Sequence, residues 1–249
     1  TQNLPEPTVV PSEHFNTVLY TGTGSSLAVT GVGFQPDFVW MKRRDATQFH
    51  DLIDAVRGDS YRMFSNGSEF DYSVTFSFDS DGFHPDPTKV NENFSGGAYV
   101  AWNWKAGNAT LGTGDFTQGS IASTCSRNVD AGFSIVSYTG TGSLGTVGHG
   151  LASKPEMIIV KNRDISSPWI VMHKGIASDY ETDYIYLSTT QAAGDYDLFW
   201  NDTQPTNAVF TIKGDDPNTS TKAIIAYCFH SVEGYSKVGS YTGNGSADG

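Results

Sequence analysis

A hexapeptide that returns at fixed places in the chain constrains the fold most. Tyr20-Thr21-Gly22-Thr23-Gly24-Ser25 recurs as Tyr138-Thr139-Gly140-Thr141-Gly142-Ser143 and opens again as Tyr241-Thr242-Gly243-Asn244-Gly245-Ser246. From Pro36 the first two copies align without gaps at an offset of 119: Phe38-Val39-Trp40-Met41 lies over Met157-Ile158-Ile159-Val160, and Lys42, Arg44 and Asp45 lie over Lys161, Arg163 and Asp164. Near the end of each copy, Ala98-Tyr99-Val100-Ala101-Trp102-Asn103-Trp104 matches Ala223-Ile224-Ile225-Ala226-Tyr227-Cys228-Phe229 at an offset of 125. Marks in the same order in both halves point to a duplicated, modular chain rather than a single-pocket enzyme.

The spacing sets the expected boundaries. Ala101 to Tyr138 is 37 residues, whereas Ala226 to Tyr241 is 15, and the excess falls in a stretch rich in Gly, Ser, Thr and Asn. Residues 1–14 then read as an extended, proline-bearing lead-in and 15–107 as a first module. Residues 108–131 read as a flexible or irregular connector, 132–232 as a second module and 233–249 as the start of a truncated third repeat. A chain that stops soon after opening a third unit, and that starts at Thr1, is expected to be a piece of something longer.

Aromatic and β-branched residues are plentiful and 27 glycines supply turns. Residues 49–56 form the one plausible helical patch. Alternation places Val100, Trp102 and Trp104 on one face of a closing strand, and Val74, Phe76 and Phe78 on one face of another. The expected fold is all-β, two tandem antiparallel β-sandwich modules of jelly-roll-like form. A net charge of −12 argues against a nucleic-acid backbone as partner. No apolar run is long enough for a membrane-spanning helix. Cys125 and Cys228 are expected as free thiols.

Candidate chemistry is sparse. The hexapeptide lacks the Lys and following helix of a phosphate loop and reads as a turn. Asp79-Ser80-Asp81-Gly82 opens like a calcium loop, but position 12 is Val90, not Glu, so a hairpin turn is the better reading. A shallow Ca²⁺ site would use Asp79 and Asp81, with Asp86. His50, Asp51 and Asp54 have Trp169, Ile170 and His173 as counterparts, so no triad is kept. The paired Lys42–Asp45 and Lys161–Asp164 segments read as Arg–Asp loop closures in both halves. Tyr180, Tyr196 and Trp200, with Trp169, are aromatics among Asp, Asn and Thr; ring faces beside polar side chains suit sugar, and strand packing is the bland alternative.

The sequence resembles a repeat family of unknown function found in large virion proteins of marine and other environmental bacteriophages. The resemblance is carried by residues 20–25, 38–45, 78–83, 99–107, 132–143, 154–164 and 226–249. Residues 1–8 resemble the segment that follows a SPRY-like, lectin-type domain in such proteins. It implies a tail-fibre or other virion appendage, without enzymatic activity, in contact with other virion proteins and a host-surface glycan, and built as a homo-oligomer. The alternatives are a capsid-surface decoration protein without ligand, a glycan depolymerase with two carboxylates in a groove, and a secreted adhesin with bound Ca²⁺. The Phe-Asp-Ser-Asp-Gly-Phe turn of the first module is replaced in the second by Phe210-Thr211-Ile212-Lys213-Gly214-Asp215.

Overall fold

The computed structural model describes residues 9–246. Residues 1–8 of the expected lead-in and residues 247–249 lie outside it. The first half forms β1 (Phe15–Thr21), β2 (Phe38–Arg43), β3 (His50–Asp54), β4 (Tyr61–Phe64), β5 (Tyr72–Ser73), β6 (Ser77–Asp79), β7 (Gly82–His84), the one-turn helix α1 (Val90–Asn93) and β8 (Ala98–Trp104). The second forms β9 (Ser123–Asn128), β10 (Phe133–Thr139), β11 (Gly145–Gly148), β12 (Met157–Asn162), β13 (Ile170–His173), β14 (Asp183–Tyr186), β15 (Gly194–Asp195), α2 (Asp197–Trp200), β16 (Val209–Ile212) and β17 (Ala223–Phe229).

Each half builds one large antiparallel sheet. The orders are β1-β8-β2-β3-β4-β5 and β9-β10-β17-β12-β13-β14-β15. Without β9 the second order reproduces the first strand for strand, so the repeat seen in the sequence is a repeat of topology. Phe15 pairs Trp104 and Phe133 pairs Phe229, which puts first and last strands of each half side by side over seven residue pairs. The fold is all-β and sandwich-like, as the alternation indicates.

Two differences have physical causes. The patch at 49–56 holds strand β3 and a turn, not a helix: β3 buries Leu52 on one face and Ile53 on the other, a period-2 pattern that the short apolar run disguises. The stretch read as a connector carries β9, which pairs with β10 from Asn128–Phe133 to Ser123–Tyr138. Cys125 and Ile121 give it apolar groups to bury, and Phe116 packs beside them.

Burial divides into three cores. Behind the first sheet, Val39, Met41, Ile53 and Ala101 pack under Phe76 and Phe83 of the β6–β7 region. Behind the second, Val136, Ile158, Val160, Met172 and Ile224 pack under Phe210, Phe199 and Trp200 from β16 and α2. Each repeat is therefore a two-layer unit with its own cover. The third core lies between the two large sheets, where Phe38, Leu52 and Met63 meet Phe133, Ile135, Ile159, Trp169, Val171, Ile225 and Tyr227. Fully burying each large apolar side chain contributes about 1.5–3 kcal/mol, so this shared layer binds the repeats strongly.

Polar groups cross the same interface. Asp54 accepts from Arg57 Nε at 2.5 Å and from the Tyr227 hydroxyl of the other repeat at 2.7 Å. Asp71 bridges Arg57 Nη1 at 2.8 Å and Arg163 Nε at 2.7 Å. Trp169 Nε1 donates to the Phe64 carbonyl at 2.8 Å, and Ser167 N to the Ser68 carbonyl at the same distance. Burial disfavours the Arg57 charge, yet Asp54, Tyr227 and Asp71 raise its proton affinity above the ordinary arginine value.

Candidate functional site

The inner face of the first sheet is organised in rows by strand register. One row is Phe15, Trp104, Phe38 and Asp54; the next Thr17, Trp102, Trp40 and Leu52; the last Leu19, Val100, Lys42 and His50. Phe38, Asp54 and Leu52 of these rows are covered. Trp40, Trp102 and Trp104 are left half-buried, and Leu19 is 63 % exposed. An apolar cleft of about 270 Å³ opens between the sheets, with Trp40, Trp104 and Leu52 on one wall and Met157, Ile159 and Phe229 on the other. Residues 236–238 pass over it.

The indoles meet a polar rim. Trp40 and Trp102 stand edge to face, centroids 6.4 Å apart and planes at 78°. Trp40 Nε1 donates to His50 Nδ1 at 3.4 Å, which assigns the proton of a neutral His50 to Nε2. Burial, with the neighbouring Lys42 charge, lowers the His50 pKa, so the ring is neutral at pH 7. The His50 amide is held by Asn66 Oδ1 at 2.9 Å. Lys42 Nζ donates to the carbonyls of Ala46 and Gln48, and in the second repeat Lys161 Nζ donates to Ile165 O and Ser167 Oγ at the matching positions. These lysines shape loops. Arg43 closes on Asp45 at 2.7 Å, whereas Arg163 reaches across to Asp71 instead of Asp164.

The aromatic positions expected to hold sugar are corrected. Trp169 and Trp200 are fully buried and Tyr180 is 7 % exposed. Trp169 stacks toward Tyr227 in the layer between the sheets, while Trp200 and Tyr180 fill the core behind the second sheet. Tyr196 is half-buried edge-on to Phe199, its hydroxyl donating to Asp215 Oδ2 at 3.0 Å. Their polar neighbours in sequence belong to turns, and the rings point inward from them. Trp169, Trp200 and Tyr180 therefore present no ring face for stacking.

The carboxylates named for Ca²⁺ are turned to N–H donors. Asp81 accepts from the Gly31 and Gly33 amides at 2.9 and 2.6 Å, which holds its carboxyl below the usual range. Asp79 accepts from Ser80 N and faces His84 Nε2. Asp86 takes Thr75 N, Thr88 N and the Thr88 hydroxyl. Among the described residues no group of three or more His, Cys, Asp or Glu is placed to hold a metal. Asp51 and Glu92 form a close carboxylate pair under Arg62, but both are fully buried, and burial together with mutual repulsion raises Glu92 well above the carboxylate range. Cys125 and Cys228 are free and buried.

A family described as a domain of unknown function, DUF7483, matches residues 10–249. The chain belongs to the DUF7483 family. No curated protein and no solved structure matches it. One DUF7483 match spans both topological repeats, in keeping with the core they share. The indole face is a feature of the first repeat only: in the second, Ile159, Tyr227 and Phe229 stand where Trp40, Trp102 and Trp104 stand in the first. Trp102 and Trp104 lie two apart in one strand, and that alternation was the signal for this face; which repeat would leave its face uncovered was not in the pattern.

Proposed function

We propose that this DUF7483 chain is a structural attachment module of a phage virion appendage of tail-fibre type, and that its first repeat holds host-surface glycan on the Trp40–Trp102–Trp104 face. The observation that carries the reading is the uncovered part of the first sheet's inner face, three half-exposed indoles beside a neutral His50. Indoles stack on the C–H faces of a pyranose. His50 Nε2–H and the neighbouring Gln48 and Asn66 side chains supply the hydrogen bonds that a sugar hydroxyl needs. Shallow contacts of this kind gain strength by multiplication in a repeated, oligomeric appendage. The buried Asp51–Glu92 pair has no route to such a ligand, which supports holding rather than cleaving it.

Leu19 and Val100 on the same face favour a second reading, capsid or appendage decoration with a protein partner. Glycan-array and host-cell binding of the intact chain separates the two. Trp102→Ala and Trp40→Ala should abolish binding, while Tyr196→Phe should leave it intact. Retention of glycan binding in both Trp variants overturns the site. Absence of any glycan, with Trp102-dependent binding to purified virions, selects decoration.

A further inference from the structure

The two complete copies of the hexapeptide are seated in the same way. Tyr20 OH donates to the Glu92 carbonyl and Tyr138 OH to the Pro217 carbonyl, each at 2.7 Å. Asn93 and Asn218, both fully buried, clamp the loops. Their Oδ1 atoms accept from Thr23 N and Thr141 N at 2.7 and 2.8 Å, and their Nδ2 groups donate to Ser25 O and Ser143 O at 2.7 Å. The first glycine is required because a backbone carbonyl presses on it: a Cβ at Gly22 would lie 2.3 Å from Phe94 O, and at Gly140 2.2 Å from Thr219 O. The second glycine is left-handed, φ +67° at Gly24 and +70° at Gly142. Within each loop the Ser amide donates to a side-chain oxygen two residues back, Thr23 or Thr141.

In the third copy the turn is present, but among the described residues its tyrosine and first glycine lack the seat that the first two copies have. Gly245 is left-handed at φ +73°, and Ser246 N donates to Asn244 Oδ1 at 2.8 Å, so the turn is formed. Yet Tyr241 is 94 % exposed, and a Cβ on Gly243 would meet nothing within 4 Å. Among the described residues, nothing around Gly243 requires a glycine. The preceding Tyr235-Ser236-Lys237-Val238, followed by one extra Gly239, parallels Phe133-Ser134-Ile135-Val136 ahead of the second copy.

We propose that residues 235–246 supply the first strand and loop of a following repeat of this same type that lacks its own, with only the turn at Asn244–Ser246 already formed. The partner is defined by what the first two copies meet: a closing strand equivalent to β8 or β17 to pair with, a carbonyl for the Tyr241 hydroxyl, and a buried Asn to clamp residues 244–246. This inference is independent of the glycan reading.

The test is a fusion in which Ser246 is followed directly by Ser26 through Gly249 of a second copy, so that 235–246 must serve in place of 15–25. Amide hydrogen exchange of the intact chain and of the fusion is compared at residues 235–246. Protection there should rise at least about a hundredfold in the fusion, toward that of residues 15–25. Asn93→Ala in the second copy should reverse the gain at 244–246. Gly243→Val should be silent in the single chain and block docking in the fusion. The idea fails if the second copy folds while 235–246 exchange as in the single chain. It fails equally if this fusion does not fold while one that retains residues 10–249 of the second copy does.

Discussion

Replacing Arg57 by Met should reveal how strongly the two repeats depend on each other. The guanidinium makes three buried contacts, to Asp54 at 2.5 Å, Asp71 at 2.8 Å and the Leu52 carbonyl at 2.8 Å. Without it Asp71 keeps Arg163 and is 11 % exposed, so its loss is small. Asp54 is fully enclosed and keeps the Tyr227 hydroxyl and the Val56 and Arg57 amides, but no cation. Removing one member of such a pair costs about 3–5 kcal/mol, chiefly from the stranded charge. For a domain of this size that is a fall in Tm of roughly 6–20 °C. Arg57→Met/Asp54→Asn removes the charge yet keeps an acceptor for Tyr227, and should recover about half of the loss. Urea unfolding at pH 7, followed by tryptophan fluorescence and far-ultraviolet circular dichroism, measures both variants. Because Asp54 touches Tyr227 of β17, amides of the second sheet should also exchange faster in the single variant. A single variant within 1 kcal/mol of the parent, or a double variant no better than the single, would refute the reasoning.

Further outcomes follow from the same structure. Asn218→Ala loses donors to Ser143 O and Lys213 O and the acceptor for Thr141 N, and should cost about 2–4 kcal/mol in the same urea assay. Asn93→Ala, which loses one bond fewer, should cost less. His149 is fully buried with Nε2 on Thr206 O and Nδ1 accepting from Leu151 N, and burial lowers its pKa to about 4. The unfolded chain therefore binds the proton first on acidification. Stability present above pH 6.5 should decline by roughly 2–3 kcal/mol on going to pH 4, and His149→Gln should flatten that part of the acid-unfolding profile. Cys125, pushed up to about 12 by burial, and Cys228, raised further still, should resist an aromatic disulfide reagent at pH 8 until the chain unfolds.

Much of the fold was legible because duplication and alternation are local. The hexapeptide, the apolar run at Phe38 and the closing strand at Ala98 each identify a strand or turn twice over. The β9 strand was not legible, since Ser123-Thr124-Cys125-Ser126 has little hydrophobic contrast and gains its place by pairing with β10. Trp169 and Trp200 show why site reading failed in the second repeat. Polar residues next to a ring in sequence point to the opposite face of a strand or lie in a turn, so they say nothing about whether the ring meets solvent. The indole face depends on how far one sheet overlaps the other, a property of the assembled pair that no single segment carries. Its residues were visible, but their exposure was not.

The layer shared by the two large sheets sets what can be exchanged between molecules of this kind. Tyr227, Trp169 and Phe133 of one repeat have their solvent shield in Phe38, Leu52 and Met63 of the other. Genetic transfer of one repeat alone would strip both of that shield and expose a broad apolar wall that invites aggregation. Transfer of residues 10–249 together keeps the wall closed. The pair, not the single repeat, is thus the smallest part that keeps this wall covered.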